Sequence, residues 1–560
     1  MSIHRSKTWT NIPDSISISQ LMQHNVENTP PDKVIYEEAL TGRTATYGSF
    51  HRQIRRTAFS LRHDLSIQPG DIVSISGSSS IEYILTAHAV WWIGGIVSPI
   101  NNSLHPDELS RAIDLVKPRC LVIDKTLYEK IPVIMRTSSH CQSSSTFKVF
   151  TMGEPTGAKW PPFPINYSPS IDEEPELRDP IRPQTFNSKK ACAAILLSSG
   201  TTGMSKAVML SHYNLIAACF QLREDNPQNW RGSQREIFFP PLSHVYALYV
   251  CFTMGLWLGA YVCLMPRFDL ELYCRLLNDR KATLARVVPS IARMLAEDPV
   301  VRRYKYQSLE YFSCSAAPLH EETATKLSKV FPGVVLCQSK LEDLGIVMGT
   351  WILMRYSQRT DVLSYLDHVS KVDEIRFLDL DGKDVGARGP GEIACRAPNV
   401  MMGYKDNPEE TANAMFEDGW LRTGDLGYMD EKGYLYIYDR LKEMVKYKGF
   451  QVSPSELENV IIQHPLVHEA AVIGAWSSKE DTEIPRAFVV LKNAQGNAQE
   501  TAKDISDFVS TKVSNYKRLR GGVVIIDALP RNPTGKVLKK VLKEYRGKPH
   551  DEVQRPVSKL

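Results

Sequence analysis

The sequence predicts an α/β protein, with a large N-terminal unit built on several sheets of mostly parallel strands and a smaller α+β unit after it. Three observations carry this. Strand-like and helix-like apolar runs alternate through the first half, and after Pro390 the pattern shifts to short strands with turn signals. From Ser453 a compact helix–strand alternation begins again. At 560 residues the chain is also too long for one core, so it should divide into a larger and a smaller part.

Taken in order, the first alternation is 71–76 (DIVSIS), 81–93 and 95–100, read as strand, helix and strand. Strand-like runs recur at 120–124, 193–198 and 261–264. Over 137–190 the sequence turns rich in Ser, Pro and acidic residues, which reads as a long surface excursion. Short strands follow at 392–396 and 433–438. The smaller unit is expected to alternate through 454–464, 469–474, 486–491, 502–513 and 522–527.

One run, 245–265 (VYALYVCFTMGLWLGAYVCLM), carries no charge and is long enough to cross a bilayer. It also holds Gly255 and Gly259 and follows directly on Pro-Leu-Ser-His, so a buried helix is expected and no membrane span. Lysine plus arginine (67) nearly balances aspartate plus glutamate (63), which argues against a nucleic-acid partner. The ten cysteines are scattered without a CxxC pair and read as reduced thiols. Behind Met1-Ser-Ile-His there is no apolar run, so no export signal is expected.

The strongest local signal is Ser198-Ser199-Gly200-Thr201-Thr202-Gly203-Met204-Ser205-Lys206, directly after an apolar strand. Glycines let backbone amides approach phosphate oxygens, hydroxyls donate to them, and lysine offsets their charge. The GxxxxGK[ST] spacing of a Walker A loop is absent. The loop resembles the phosphate loop of the adenylate-forming superfamily, the acyl-CoA synthetases, 4-coumarate–CoA ligases and luciferases, which usually read SSGTTGxPKGV. Ser205 and Ala207 depart from that pattern, while Lys206 keeps it.

Further matches follow in the family's order. Pro241-Leu-Ser-His244 resembles the PLFH motif, and Ser315-Ala316-Ala317-Pro318-Leu319 the GAAPL turn that borders adenine. Gly419-Trp-Leu-Arg-Thr-Gly-Asp425 resembles GWLRTGD, whose aspartate takes the ribose hydroxyls. The run Asp439-Arg440-Leu-Lys442-Glu443, then Lys446-Tyr-Lys-Gly449-Phe-Gln451, resembles DRLKELIKYKGFQV. Pro530-Arg531-Asn-Pro-Thr-Gly-Lys536 resembles PRTxSGK.

The resemblance covers about residues 40–545. It implies catalytic roles for Lys536, His244, Lys446 and Gln451, and nucleotide contacts from Ser198, Ser199, Gly200, Thr201, Thr202, Gly203, Lys206, Ala317, Asp425, Arg440 and Lys536. It also implies a hinge at Lys442. The implied domains are an adenylation domain at 1–438, a hinge region at 439–446, a mobile catalytic domain at 447–547 and a tail at 548–560. The implied activity is an ATP-dependent carboxylic acid–CoA ligase using Mg²⁺ and coenzyme A, which forms an acyl-adenylate and then a thioester.

One motif departs from the family. Where its members read QGYGMTE, this chain reads Gln338-Ser-Lys-Leu-Glu342-Asp343-Leu344. Tyr, Gly and Thr are gone, and a carboxylate survives as Glu342 or Asp343, with Glu342 the candidate metal ligand. The alternative reading that follows is a catalytically impaired binding or scaffold pseudoenzyme. Finally, the chain ends in Ser558-Lys559-Leu560, the peroxisomal import address, on a polar Pro-containing tail. The expected partners are the carboxylic acid, ATP, CoA and a peroxisomal import receptor, and the expected location is the peroxisome.

Overall fold

The computed structural model describes residues 4–5, 11–152, 160–163, 179–181, 186–198, 205–314, 319, 321–338, 354–355, 364–365, 374–379, 381–386, 389–416, 419–431, 435–441, 443–448, 450–478, 480, 482–492, 497–531 and 537–545. They form two compact units, one of His4–Ile375 with Cys395–Leu421, the other of Arg376–Ala394 with the chain from Arg422 onward.

The larger unit holds two extended sheets. Seven strands run in the order Gly403–Tyr404, Lys206–Ser211, Cys192–Ser198, Ile96–Pro99, Ile72–Ser76, Cys120–Ile123, Lys148–Thr151. From Cys192–Ser198 to Lys148–Thr151 the neighbours are parallel. Nine strands make the other sheet: Ser364–Tyr365, Met354–Arg355, Val335–Gln338, Tyr311–Cys314, Leu284–Val287, Arg235–Phe238, Tyr261–Leu264, Val34–Glu38, Thr44–Thr46. Parallel strands must be covered on both faces, which is why Cys120–Ile123 is apolar and buried throughout and why Ser74 and Ser76, which alternate with apolar residues in Ile72–Ser76, are buried as well. The helix Ile81–Trp92 is buried at every position except Glu82, as an all-round apolar helix must be. One continuous core joins it to Val73, Val97 and Ala194 of the first sheet and to Phe238, Val262 and Leu264 of the second.

Two expectations need correcting. The uncharged run over 245–265 is not one helix. It is helical from Val245–Ala247 through the π-helical Leu248–Met254 to Gly255–Leu258, and then becomes the strand Tyr261–Leu264. Gly259 makes the break, ending the helix in the left-handed region at φ 61. A Cβ there would stand 2.1 Å from Thr29 Oγ1, so only glycine fits. The strand-like reading of 261–264 holds, and the helix read over the whole of 245–265 ends at Leu258, because a buried helix and a buried parallel strand are equally apolar and hydropathy does not mark the boundary. Among the described residues no helix is long and apolar enough to cross a membrane.

The surface excursion also begins later than 137. Ser139–Ser143 is helical, and Lys148–Thr151 is an edge strand beside Cys120–Ile123. Val149 and Phe150 are buried, and Phe163 packs on Phe150 with ring centroids 6.2 Å apart. Four residues flanked by Ser and Thr were too short a signal to separate from their surroundings.

In the smaller unit the strands Val467–Ser477, Thr482–Leu491 and Val523–Ile525 form a sheet. The helices Pro454–Ile462 and Ala498–Lys512 share its core through Leu457, Ile461, Ile505 and Val509. A separate pair, Val445–Tyr447 and Phe450–Val452, is antiparallel. None of the ten cysteines, all of them described, forms a disulfide.

Candidate active site

In the larger unit, Cys192–Ser198 and Lys206–Ser211 are antiparallel, with Ser198 opposite Lys206. The expected phosphate loop is therefore the hairpin connection beyond a strand whose other neighbour is parallel, an end of such a sheet where ligands commonly bind. Ser199, Gly200, Thr201, Thr202 and Gly203 lie outside the described residues. The two feet are described. The Ser198 hydroxyl donates to the Lys206 carbonyl at 3.4 Å. The Lys206 ammonium is paired with Glu410 and stands 4.9 Å from the centre of the Tyr404 ring.

Glu410 was not foreseen as a site residue. Asn407-Pro-Glu-Glu410 reads only as a helix start, and it is one: the Asn407 side chain accepts the Glu410 amide at 3.1 Å at the head of Pro408–Ala414. No sequence signal pairs that first-turn carboxylate with a lysine 204 positions away.

His244 caps the helical run that follows it, its Nδ1 accepting the Tyr246 amide at 3.2 Å. That bond assigns the ring proton to Nε2 in the neutral form, leaving Nε2 the donor. Tyr246 stacks on Phe238 at 5.7 Å, and the Arg286 guanidinium lies 5.9 Å from the Tyr246 ring centre and 4.3 Å from that of Trp230. Arg286 pairs with Glu236, both side chains almost wholly buried. Burial pushes the Glu236 carboxyl up against the opposing pull of Arg286, and burial also lowers the Arg286 guanidinium. The sequence reading missed this pair, although an acid and a base inside the apolar runs 235–239 and 284–288 are its visible trace.

In the smaller unit the structure brings two expected nucleotide residues together. Asp425 and Arg440 are directly opposed across antiparallel strands, and Arg440 Nε donates to Asp425 Oδ1 at 3.1 Å. Their side chains are only 9% and 13% exposed, so the carboxylate is already aimed and charge-balanced. The stretch of the strand Trp420–Met429 just before Asp425 is held by buried Glu392, which accepts Arg422 Nη1 at 3.0 Å and the Gly424 amide at 3.2 Å. Gly424 sits at φ 69, a conformation that favours glycine. The Thr423 hydroxyl donates to the Ile393 carbonyl at 2.7 Å and accepts the Asp425 amide at 3.1 Å.

Next along the chain, buried Asp439 accepts the Ser453 hydroxyl and, at 3.3 Å, the Ser455 amide, closing the N-terminus of Pro454–Ile462. Lys446 and Gln451 are cross-strand partners. Lys446 is exposed, and its backbone is held by Glu483 at 2.9 Å and by the Thr482 hydroxyl at 2.8 Å. Phe450, 52% exposed, stacks on Tyr516 at 4.6 Å. Ala317, Glu342, Lys442 and Lys536 lie outside the described residues. Among the described residues no group of three or more His, Cys, Asp or Glu could hold a metal ion.

The AMP-binding enzyme family profile matches residues 22–405, and the AMP-binding enzyme C-terminal domain profile matches 456–536. 4-Coumarate–CoA ligase 3 of Arabidopsis thaliana is 31% identical over 507 residues, spanning 90% of this chain and 87% of that one. 4-Coumarate–CoA ligase-like 1 of the same plant is 30% identical over 553 residues, 95% of each. Among solved structures, ATP-bound MatB from Rhodopseudomonas palustris superposes with a TM-score of 0.76 at 26% identity, covering 94% of this chain and 99% of that one. The chain belongs to the adenylate-forming superfamily of AMP-binding enzymes.

Proposed function

We propose that this protein is an ATP-dependent carboxylic acid–CoA ligase. The observation that carries the reading is the buried Asp425–Arg440 pair, a ready acceptor for two ribose hydroxyls, in a chain whose relatives are named as CoA ligases along nearly their whole length. In the first half-reaction the substrate carboxylate attacks the α-phosphate of ATP, forming the acyl-adenylate and releasing pyrophosphate. Lys206 trades Glu410 for phosphate oxygens, the loop 199–204 supplies donors, and Lys536 meets the charge that builds at phosphorus. Glu342 would hold a Mg²⁺ ion accompanying the nucleotide, which would offset phosphate charge. In the second, the chain turns about Lys442, the CoA thiol attacks the mixed anhydride, and AMP leaves. His244, Lys446 and Gln451 serve this acyl-transfer stage.

The first acid to try is 4-coumarate, which the curated relatives' names specify. The test is ATP–pyrophosphate exchange with 4-coumarate, anthranilate and a fatty acid, followed by thioester formation on adding CoA. Exchange with at least one acid supports the ligase. Its absence with all of them, alongside retained ATP binding, favours the pseudoenzyme reading that the lost Tyr-Gly-x-Thr-Glu loop at 338–344 motivates. A peroxisomal location is proposed from Ser558-Lys559-Leu560. A tagged chain should co-locate with a matrix marker and become diffuse when these three residues are removed, and a diffuse full-length chain would refute the assignment.

A further inference from the structure

Lys539 is a residue for which the motif reading has no use, and it occupies a distinctive place. It opens the helix Lys539–Lys543, and its ammonium lies 3.0 Å from Glu443 Oε2 and 3.0 Å from Glu458 Oε1. Glu443 follows Lys442 directly in the chain. Glu458 comes from the helix Pro454–Ile462 and also accepts the Val472 amide at 2.8 Å, which ties that helix to the central sheet. One cation therefore joins three segments. Burial would lower the lysine's pKa, but Glu458 and Glu443 outweigh it and hold the group charged.

The segment just before Lys539 is pinned at both feet. Arg531 and Val537 form an antiparallel bridge, and the Leu538 amide donates to the Pro530 carbonyl at 2.8 Å. On the Arg531 side the guanidinium pairs with Glu469 at 3.0 Å, on the edge of the same sheet. On the other side stands Lys539 with its two carboxylates. The residues between these feet, 532–536, end in Lys536.

We propose that the Glu443–Lys539–Glu458 cluster is a positioning device that ties the foot of the Lys536 segment to the chain beside the Lys442 hinge. The inference rests on the ligase reading for its catalytic consequence, though not for its structural one. A flexible foot would let Lys536 wander, and a misplacement of about 1 Å at a reacting centre can cost about a hundredfold in rate. Lys539 touches neither substrate nor nucleotide in this scheme and acts only through Lys536. Its loss should then fall on the half-reaction that uses Lys536 and spare the other.

The experiment uses the full chain with Lys539→Met, Lys539→Arg and Glu443→Gln. Hydrogen exchange is read over the peptide spanning 530–541, and both half-reactions are read with 4-coumarate and with synthetic 4-coumaroyl-adenylate plus CoA. Lys539→Met should speed exchange in that peptide about tenfold or more, with the strands 467–477 and 482–491 unchanged. Adenylation should fall about a hundredfold in kcat with the KM for ATP nearly constant, thioester formation from the adenylate should persist, and Lys539→Arg should restore adenylation. Unchanged exchange at 530–541, or equal loosening of the whole unit, would overturn the proposal, as would equal loss in both half-reactions. Should the wild type activate no acid, the ligase reading fails while the exchange result still decides the clamp. Glu443→Gln keeps the test open if Lys539→Met does not fold.

Discussion

Lys206 in the larger unit and Arg440 in the smaller are the two described cations assigned to the nucleotide, and the fold holds them in opposite ways. Arg440 meets Asp425 straight across a strand pair, with both side chains largely buried. Lys206, 18% exposed, meets a carboxylate from a distant helix that is 40% exposed, against 9% for Asp425, so the contrast lies in the carboxylates. An exposed pair is worth about 0–1 kcal/mol and can exchange its partner, whereas breaking a buried pair costs about 3–5 kcal/mol by leaving one charge uncompensated. On the proposed assignment, the difference teaches that the residues meant for the ribose are fixed before ATP arrives. The lysine proposed for the phosphates is held by a half-exposed carboxylate that it would exchange for a phosphate.

The largest effect should come from Asp425→Ala. It strands Arg440 in a buried strand pair and removes the ribose acceptor, so the smaller unit should lose about 3–5 kcal/mol and ATP affinity should fall together with it. Denaturant unfolding and nucleotide titration check this. A variant of normal stability and normal ATP affinity would break the contrast.

Acid should separate the two regions next. His51, His88 and His212 all lie in the larger unit and are held neutral, chiefly by burial, with pKa values lowered from 6.5 to about 4, about 3 and about 4. Arg55 adds to the effect at His51, and His51 at His88. The unfolded chain then binds more protons than the folded one between pH 6.5 and about 4, so stability falls as pH falls through that window. Each histidine should contribute about 2 kcal/mol of loss between pH 7 and pH 5. His212 Nδ1 also accepts the Ile18 amide at 3.2 Å, a bond that protonation would abolish. His212→Gln should flatten the pH dependence, and an unchanged profile would contradict the assignment.

Lys206→Ala should reduce adenylation about 10²-fold, as loss of one donor aimed at developing charge does, with little change in stability. The smallest effect belongs to Glu410→Gln. Releasing Lys206 from its carboxylate should change stability by less than about 1 kcal/mol and lower the KM for ATP a few-fold at low salt. A large stability loss in Glu410→Gln would show that this pair is structural after all, and would erase the distinction from Asp425–Arg440.

Much of this architecture can be read from local pattern alone. The strands Ile72–Ser76, Ile96–Pro99 and Tyr261–Leu264 are short apolar runs bounded by turn residues, and they lie within a residue of where the alternation places them. Lys148–Thr151 and the turn at Gly259 escaped because an edge strand and a helix-to-strand break leave no distinctive period. Among candidate site residues, motif spacing nominates Lys206, Asp425 and Arg440, but it carries no information about their partners. Glu410, Glu392, Glu443 and Glu458 look like ordinary surface acids in the sequence. Their roles arise from long-range approach, as between Lys206 and Glu410, which no local window contains.

The most direct test of the account is ATP–pyrophosphate exchange without CoA, run on the wild type and on Lys536→Ala. The account predicts acid-dependent exchange in the wild type and its loss by about 10²–10³-fold in the variant, which should still convert a synthetic acyl-adenylate and CoA to thioester. Exchange that requires CoA, or equal loss of both half-reactions in Lys536→Ala, would contradict it.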